Sequence, residues 1–339
     1  MASVDSTTYM DRAAADADCG AAPGLFHCLL DELPLHLIPR RALESQSWEE
    51  NLCEPLLFNP ECFITSAGQI PAELESQRHL LEGFSLEHMI AWVRDPATAS
   101  LHPFWLGPRL QPIISGLCAG GPVPTSLSAD VRFLLAGAGI LTPVQDAKRW
   151  RAQWSGTVGR WAPIFREKGF TPLRGLIHPF TVAALRRYYR HAIRRGSIQL
   201  GDWQCSRRYV AHNEKVARFF HHQLTNAVSA ITGEAVKPSH VYLASYLSGA
   251  EVKKHTDREQ CEFSISLCLD FSPEPELETP WPFRLDTSAA TVAVYQALGD
   301  GLLYRGRKLP HYRDVLAEGR TSTSIIFHYV REDFSGPLE

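Results

Sequence analysis

Residues 291–330 read TVAVYQALGDGLLYRGRKLPHYRDVLAEGRTSTSIIFHYV. Thr291–Gln296, Leu302–Tyr304 and Ser322–Val330 alternate or are rich in β-branched and aromatic side chains, and glycine-containing breaks separate them. A period of two sends successive side chains to opposite faces, which marks short strands joined by turns. Upstream, Val241–Leu247 and Glu262–Phe271 have the same texture. Farther back the period becomes helical. Pro179 suits a first helical turn, Thr181–Arg194 is amphipathic and stops at Gly196, and Glu214–Ile231 stops at Thr232-Gly233. Two helices followed by a run of short strands predict a mainly β, α+β domain over 172–335, a sandwich or jelly roll backed by helices.

The front of the chain reads differently. Residues 1–24 are small, acidic and alanine-rich and predict a disordered tail. Residues 25–145 predict a mostly helical region, with Leu80–Val93 at helical spacing and Thr98–Pro124 rich in Pro and Gly. Its end, Leu127–Pro143, reads as a helix, a Gly137-Ala138-Gly139 turn and Ile140-Leu141, a pattern reminiscent of small winged-helix modules. Residues 146–171 read as a connector. Charge divides the chain similarly: residues 1–145 hold 17 acidic against 7 basic side chains, and the remainder 20 against 27.

In 339 residues with 45% hydrophobic and 21% charged content, a sizeable core is available. The eight cysteines include no C-x-x-C pair and predict reduced, mostly buried thiols in a cytosolic protein. Early aspartates stand where a signal peptide would be basic, and no apolar run approaches about 18 residues, so the expectation is a cytoplasmic protein without membrane spans. Arg186, Arg187, Arg190, Arg194 and Arg195 predict a solvated basic helix face rather than a nucleic-acid surface.

Asp257 follows His255 by two, so on a strand both side chains reach one ion across roughly 6–7 Å of backbone. The pair alone is near chance frequency. Its company gives it weight: His311 lies 54 residues on, after a glycine-punctuated segment, and Arg320-x-Ser322 opens the next strand. Two imidazoles and a carboxylate form the facial ligand set of non-haem iron(II) oxygenases, leaving three positions open. An α-keto acid fills two and O2 the third. Arg320, with Ser322 one strand step away, suits a fork that neutralises the far carboxylate of such a chelate. A hydrolytic zinc site is the rival for the triad, but does not call for Arg320-x-Ser322.

With Tyr246-Leu247-Ser248-Gly249 ahead of His255-x-Asp257, and Gly299-Asp300 and Tyr304-x-Gly306 ahead of His311, residues 172–331 resemble the iron(II)/2-oxoglutarate-dependent dioxygenase superfamily, in texture its prolyl-hydroxylase-like members. The resemblance implies a double-stranded β-helix, Fe(II) held by His255, Asp257 and His311, 2-oxoglutarate held by Arg320 and Ser322, and O2 as co-substrate. Tyr246 stands where relatives place a tyrosine against the co-substrate. One departure concerns the substrate side: Trp281-Pro282-Phe283-Arg284-Leu285 replaces the Gly-Gly-x-Leu segment of many members. The implied reaction oxidises an unactivated C–H bond with release of succinate and CO2, by default a hydroxylation. Asp257 disfavours halogenation, whereas desaturation and cyclisation stay open. The substrate is a small molecule such as an amino acid or specialised metabolite, or a peptide or protein docked by residues 25–145. A non-catalytic binding module on the same barrel is the alternative from another class. Arg307 and Arg313, flanking His311, read as solvated loop arginines, and His221-His222 as part of a helix rather than a metal pair.

Overall fold

Pro179–Arg194 is helical, as its first-turn proline predicts, and the His178 imidazole caps it by accepting from the Phe180 N–H. The second expected helix is two: Lys215–Gln223, capped by Glu214, and Thr225–Thr232, which ends at left-handed Gly233. A computed structural model of the chain describes residues 24–44, 55–118, 122–143 and 150–339. The disordered tail expected over residues 1–24 lies, Gly24 aside, outside the described residues.

In the first part of the chain run β1 (Leu56–Phe58), β2 (Cys62–Thr65), β3 (Met89–Arg94), β4 (Leu101–Leu106) and β5 (Leu141–Pro143). The rest carries β6 (Phe170–Leu173), β7 (Gln199–Leu200), β8 (Arg208–His212), β9 (Val236–Tyr246), β10 (Val252–His255) and β11 (Phe263–Ser272). There follow β12 (Phe283–Asp286), β13 (Thr291–Val294), β14 (Gly301–Tyr304), β15 (His311–Arg313) and β16 (Thr321–Arg331). A seven-stranded antiparallel sheet, in the order β6-β14-β11-β16-β9-β8-β7, is paired with a four-stranded one, β10-β15-β12-β13. From β9 onward the chain alternates between the two sheets, β12 and β13 forming a hairpin within the smaller one. Side chains from both sheets meet between them, with Phe283 and Tyr304 rings 5.1 Å apart. The other face of β11 packs under the Pro179–Arg194 helix, so nine of its ten residues are buried.

Three expectations change. The first region is mixed rather than mostly helical: a 3-10 segment, Ala72–Leu81, is followed by strand β3, and β2-β3-β4 form a sheet. The run Met89-Ile90-Ala91-Trp92-Val93 is rich in strand-favouring side chains, and pairing on both edges overrides its local helical spacing. Pro103 is accommodated because β4 lies at the sheet's edge. The anticipated connector instead contains helix Trp150–Lys168, which buries Trp161, Ala162 and Phe165, and continues into β6. The helix-turn-strand at Leu127–Pro143 does form, turning at Gly139 with φ 74°, and β5 pairs with β1.

The third change concerns the basic helix. Arg186 is fully buried rather than solvated, donating to Asp270 at 2.9 Å, to Glu274 and to the Leu37 carbonyl at 2.6 Å. Arg190 forks onto Asp270 at 2.8 and 3.0 Å. Burial works against the Asp270 carboxylate, but Arg186 and Arg190 outweigh it and hold its pKa down at about 2. These bonds join residues 25–44, the helix and β11. The core is likewise shared: Phe26, Phe84 and Trp105 pack on Phe219 and Phe220, with Phe84 and Phe219 centroids 4.9 Å apart.

Candidate metal centre

His255 ends β10 and His311 begins β15, and the two are direct partners in the smaller sheet. Asp257 lies just beyond β10, where its N–H donates to the Gly306 carbonyl at 2.9 Å. The three ligand atoms converge within 4.8 Å of one another. His255 Nε2 is 3.6 Å, and His311 Nε2 3.4 Å, from the same oxygen, Asp257 Oδ1. Each imidazole is turned by its other nitrogen: His255 Nδ1 is 2.7 Å from the Lys253 carbonyl and His311 Nδ1 2.9 Å from the Leu309 carbonyl. A carbonyl only accepts, so both δ-nitrogens carry the proton and both ε lone pairs face the carboxylate. Two lone pairs and an anionic oxygen aimed at one point suit a cation there.

The electrostatics agree. Burial raises the cost of ionised Asp257, yet the His255 and His311 imidazoles beside it hold the carboxyl well below the usual range. A proton on His255 Nε2 would donate to Asp257, which lifts the pKa of His255 against its partial burial. The rings of Phe283 and Tyr304 press on His311, at 5.4 and 4.8 Å between centroids. His311 is buried, whereas the His255 side chain is 43% exposed, so an ion enters from the His255 side. Gly306 is obligatory for the arrangement: a Cβ there would fall on Asp257 Oδ2 and 2.6 Å from the Cys261 carbonyl oxygen.

The triad opens into a cavity of about 480 Å³ that includes Tyr246, Phe283, Tyr304, Arg208, Arg258 and Arg313 in its wall. Trp203, 91% exposed, stands at its rim. Arg320 and Ser322 do not line it. Ser324, Ile326 and His328 of β16 do, and Ser322 continues that face beyond the cavity's end. The Arg320 backbone is held instead by the Ser248 hydroxyl, at 3.0 and 3.1 Å.

Arg313, expected as a solvated loop arginine, is instead buried in the cavity wall. It follows His311 by two on the same face of β15. Its guanidinium donates to the Trp281 carbonyl at 2.6 Å and to Gln296 Oε1 at 3.2 Å, and lies over the Trp281 and Phe283 rings at 4.8 and 5.2 Å. Desolvation lowers its pKa, and no carboxylate is among the groups acting on it. The Trp281–Leu285 segment, which departs from the family pattern, is therefore the seat of this cation. The spacing His311-x-Arg313 was the available signal. Arg208, by contrast, is neutralised by Asp202 at 2.6 Å. Tyr246 lines the cavity as expected, 5.2 Å from Trp281 between centroids.

A second cluster, His240, Cys261 and His328, lies in the same wall. The Arg258 guanidinium donates to His240 Nε2 at 3.3 Å, and burial followed by that charge pushes His240 down to about 4. Burial pushes the Cys261 thiol up to about 12. A protonated thiol, and an imidazole already accepting from a cation, make a poor metal site. The His221-His222 pair is helical as expected, with His221 Nε2 donating to the His328 carbonyl at 2.7 Å.

No family model and no curated protein matches the chain. Among solved structures it is similar to SnoN, a non-heme alpha-ketoglutarate-dependent epimerase from nogalamycin biosynthesis, with a TM-score of 0.44 and 12% identity over 52% of this chain and 84% of that one. It is similar to a Pseudomonas putida prolyl-4-hydroxylase, with a TM-score of 0.43 and 15% identity over 52% and 99% of the two chains. It is also similar to HygX from Streptomyces hygroscopicus, solved with nickel, 2-oxoglutarate and hygromycin B, with a TM-score of 0.42 and 12% identity over 52% and 88%.

Proposed function

We propose that the chain is an Fe(II)- and 2-oxoglutarate-dependent oxygenase built on a double-stranded β-helix. The observation that carries this is the convergence of His255 Nε2, His311 Nε2 and one Asp257 oxygen, with both δ-nitrogens tied to carbonyls. Bound there, iron supplies oxidation of an unactivated C–H bond, coupled to conversion of 2-oxoglutarate and O2 to succinate and CO2. The chain's part is positional. His255, Asp257 and His311 would hold the ion at the cavity wall and leave its remaining positions to the co-substrate and O2. Arg313, one strand step beyond His311 and without a carboxylate partner among the described residues, receives the remote carboxylate of 2-oxoglutarate in place of Arg320. The aromatic walls of Trp281, Phe283 and Tyr304 keep water from that ion pair.

A cavity of about 480 Å³ falls in the size range of small-molecule sites. After the co-substrate is seated it holds a compact metabolite or one side chain, with Trp203 and Arg258 at the open end. Asp257 retains the carboxylate ligand, which favours hydroxylation over halogenation. The test is anaerobic titration of the full chain with Fe(II) and 2-oxoglutarate, followed by a substrate screen scored by succinate and product mass. A charge-transfer band that is lost in His255→Ala, and a product heavier by one oxygen, are expected. Absence of both band and succinate refutes the assignment.

A further inference from the structure

The described iron ligands leave open what decides how Asp257 binds. A carboxylate gripping the ion through both oxygens would take two of six positions. With two imidazoles and a chelating keto acid, the sphere would then be full and O2 would have no place. The structure holds a device against this on the larger sheet, opposite the triad. Ser264 of β11 and His328 of β16 are cross-strand partners. Ser264 Oγ donates to Asp257 Oδ2 at 3.0 Å, the oxygen that neither histidine faces, and lies 2.9 Å from His328 Nδ1. The serine has a single proton and a carboxylate can only accept it. His328 Nδ1 must therefore carry its own proton and donate to Ser264. The chain runs from imidazole to hydroxyl to Oδ2, leaving Oδ1 alone to face the metal.

His328 is itself fixed from behind. Its carbonyl accepts from His221 Nε2 at 2.7 Å, with Ser239 Oγ, whose one proton is shared with the Gln260 carbonyl at 2.6 Å, 2.9 Å away. The β16–β9 ladder breaks register between Phe327 and Tyr329, where Ser239 and His240 of β9 stand opposite His328 and Pro238, the partner of Tyr329, has no N–H to offer. The bulge frees this carbonyl for side-chain donors. Gly306 closes the other side of the seat, since any Cβ would fall on Oδ2.

We propose that Ser264 and His328 are positioning residues that hold Asp257 as a one-oxygen ligand and so keep a coordination position open for O2. This rests on the metal-centre reading above. The experiment is Co(II) titration of the full chain, read by visible ligand-field absorption and by Kd, without turnover. Ser264→Ala and His328→Phe are each expected to weaken Co(II) binding about 10–100-fold and to alter the band shape. His328→Asn, which keeps a donor near the Nδ1 position, is expected within about threefold of wild type. If wild type binds Co(II) through His255 but Ser264→Ala and His328→Phe match it in Kd and spectrum, the positioning role is overturned while the metal centre stands. If wild type gives no His255-dependent Co(II) spectrum, the metal-centre reading falls and the positioning role with it.

Discussion

Replacing Arg313 by methionine removes a buried cation and keeps its apolar stem. Should the guanidinium receive the far carboxylate of 2-oxoglutarate, two charge-assisted hydrogen bonds go with it. At the low end of such bonds that loss is about 3 kcal/mol, or roughly a 150-fold weaker Kd. The readout is thermal unfolding with Mn(II) present and O2 excluded. At a concentration 100 times the wild-type Kd, 2-oxoglutarate adds about 2.7 kcal/mol to wild type. At about 2 °C per kcal/mol for a chain of this size, Tm rises by about 5 °C. Under the same conditions the variant is stabilised by about 0.3 kcal/mol and shifts by less than about 1 °C. A monocarboxylic 2-oxo acid of equal length completes a double-mutant cycle: it binds wild type weakly and loses nothing further in the variant. Arg320→Met is expected to retain the full shift, because that arginine lies outside the cavity wall. A retained shift in Arg313→Met, or its loss in Arg320→Met, refutes the assignment.

Gly306→Ala places a methyl on Asp257 Oδ2, and Co(II) affinity is expected to drop at least about 10-fold with little change in far-ultraviolet circular dichroism. Metal uptake depends on pH through His255, whose pKa is raised by Asp257: below that raised value a proton occupies Nε2, so affinity falls as pH falls, beginning above the ordinary imidazole value of 6.5. Asp257, held low, stays ionised through the same range and adds no slope there. Asp270→Ala removes one of the two carboxylates on the buried Arg186, a loss of about 1.5–3 kcal/mol that urea unfolding would register as a lower midpoint at unchanged slope.

The strand and helix pattern of residues 172–335 was legible because its determinants are local: period-two alternation, a first-turn proline, glycine stops. The convergence of His255, Asp257 and His311 was legible for a related reason, since His255 and Asp257 are two apart and His311 follows a distinctive glycine-punctuated run. The place of Arg313 in the cavity wall was not. Arg320 was chosen on its spacing from His311, but which residues of β16 reach the cavity depends on its register with β9 and β11, which spacing does not encode. Ser264 and His328 escaped notice for the same reason, since 64 residues separate them in the chain and only the ladder makes them neighbours. Arg313 was weighed as a loop residue because a three-residue strand, β15, carries too little period to register.

The same distinction bears on residues 25–145. Read locally, they suggested a mostly helical region, with docking of a peptide as one alternative. Their contacts tie them to the rest of the chain: the Leu37 carbonyl accepts from the buried Arg186, Arg41 reaches Asp300 at 3.0 Å, and Phe26, Phe84 and Trp105 share a core with the Lys215–Gln223 helix. Deleting residues 1–145 would expose that aromatic cluster and orphan the Arg186 network together. The expected result is loss of soluble protein, and with it of both substrate turnover and uncoupled 2-oxoglutarate decay. A truncated chain that still consumed 2-oxoglutarate would mean that the barrel is complete without this region, and would return it to the role of a docking module.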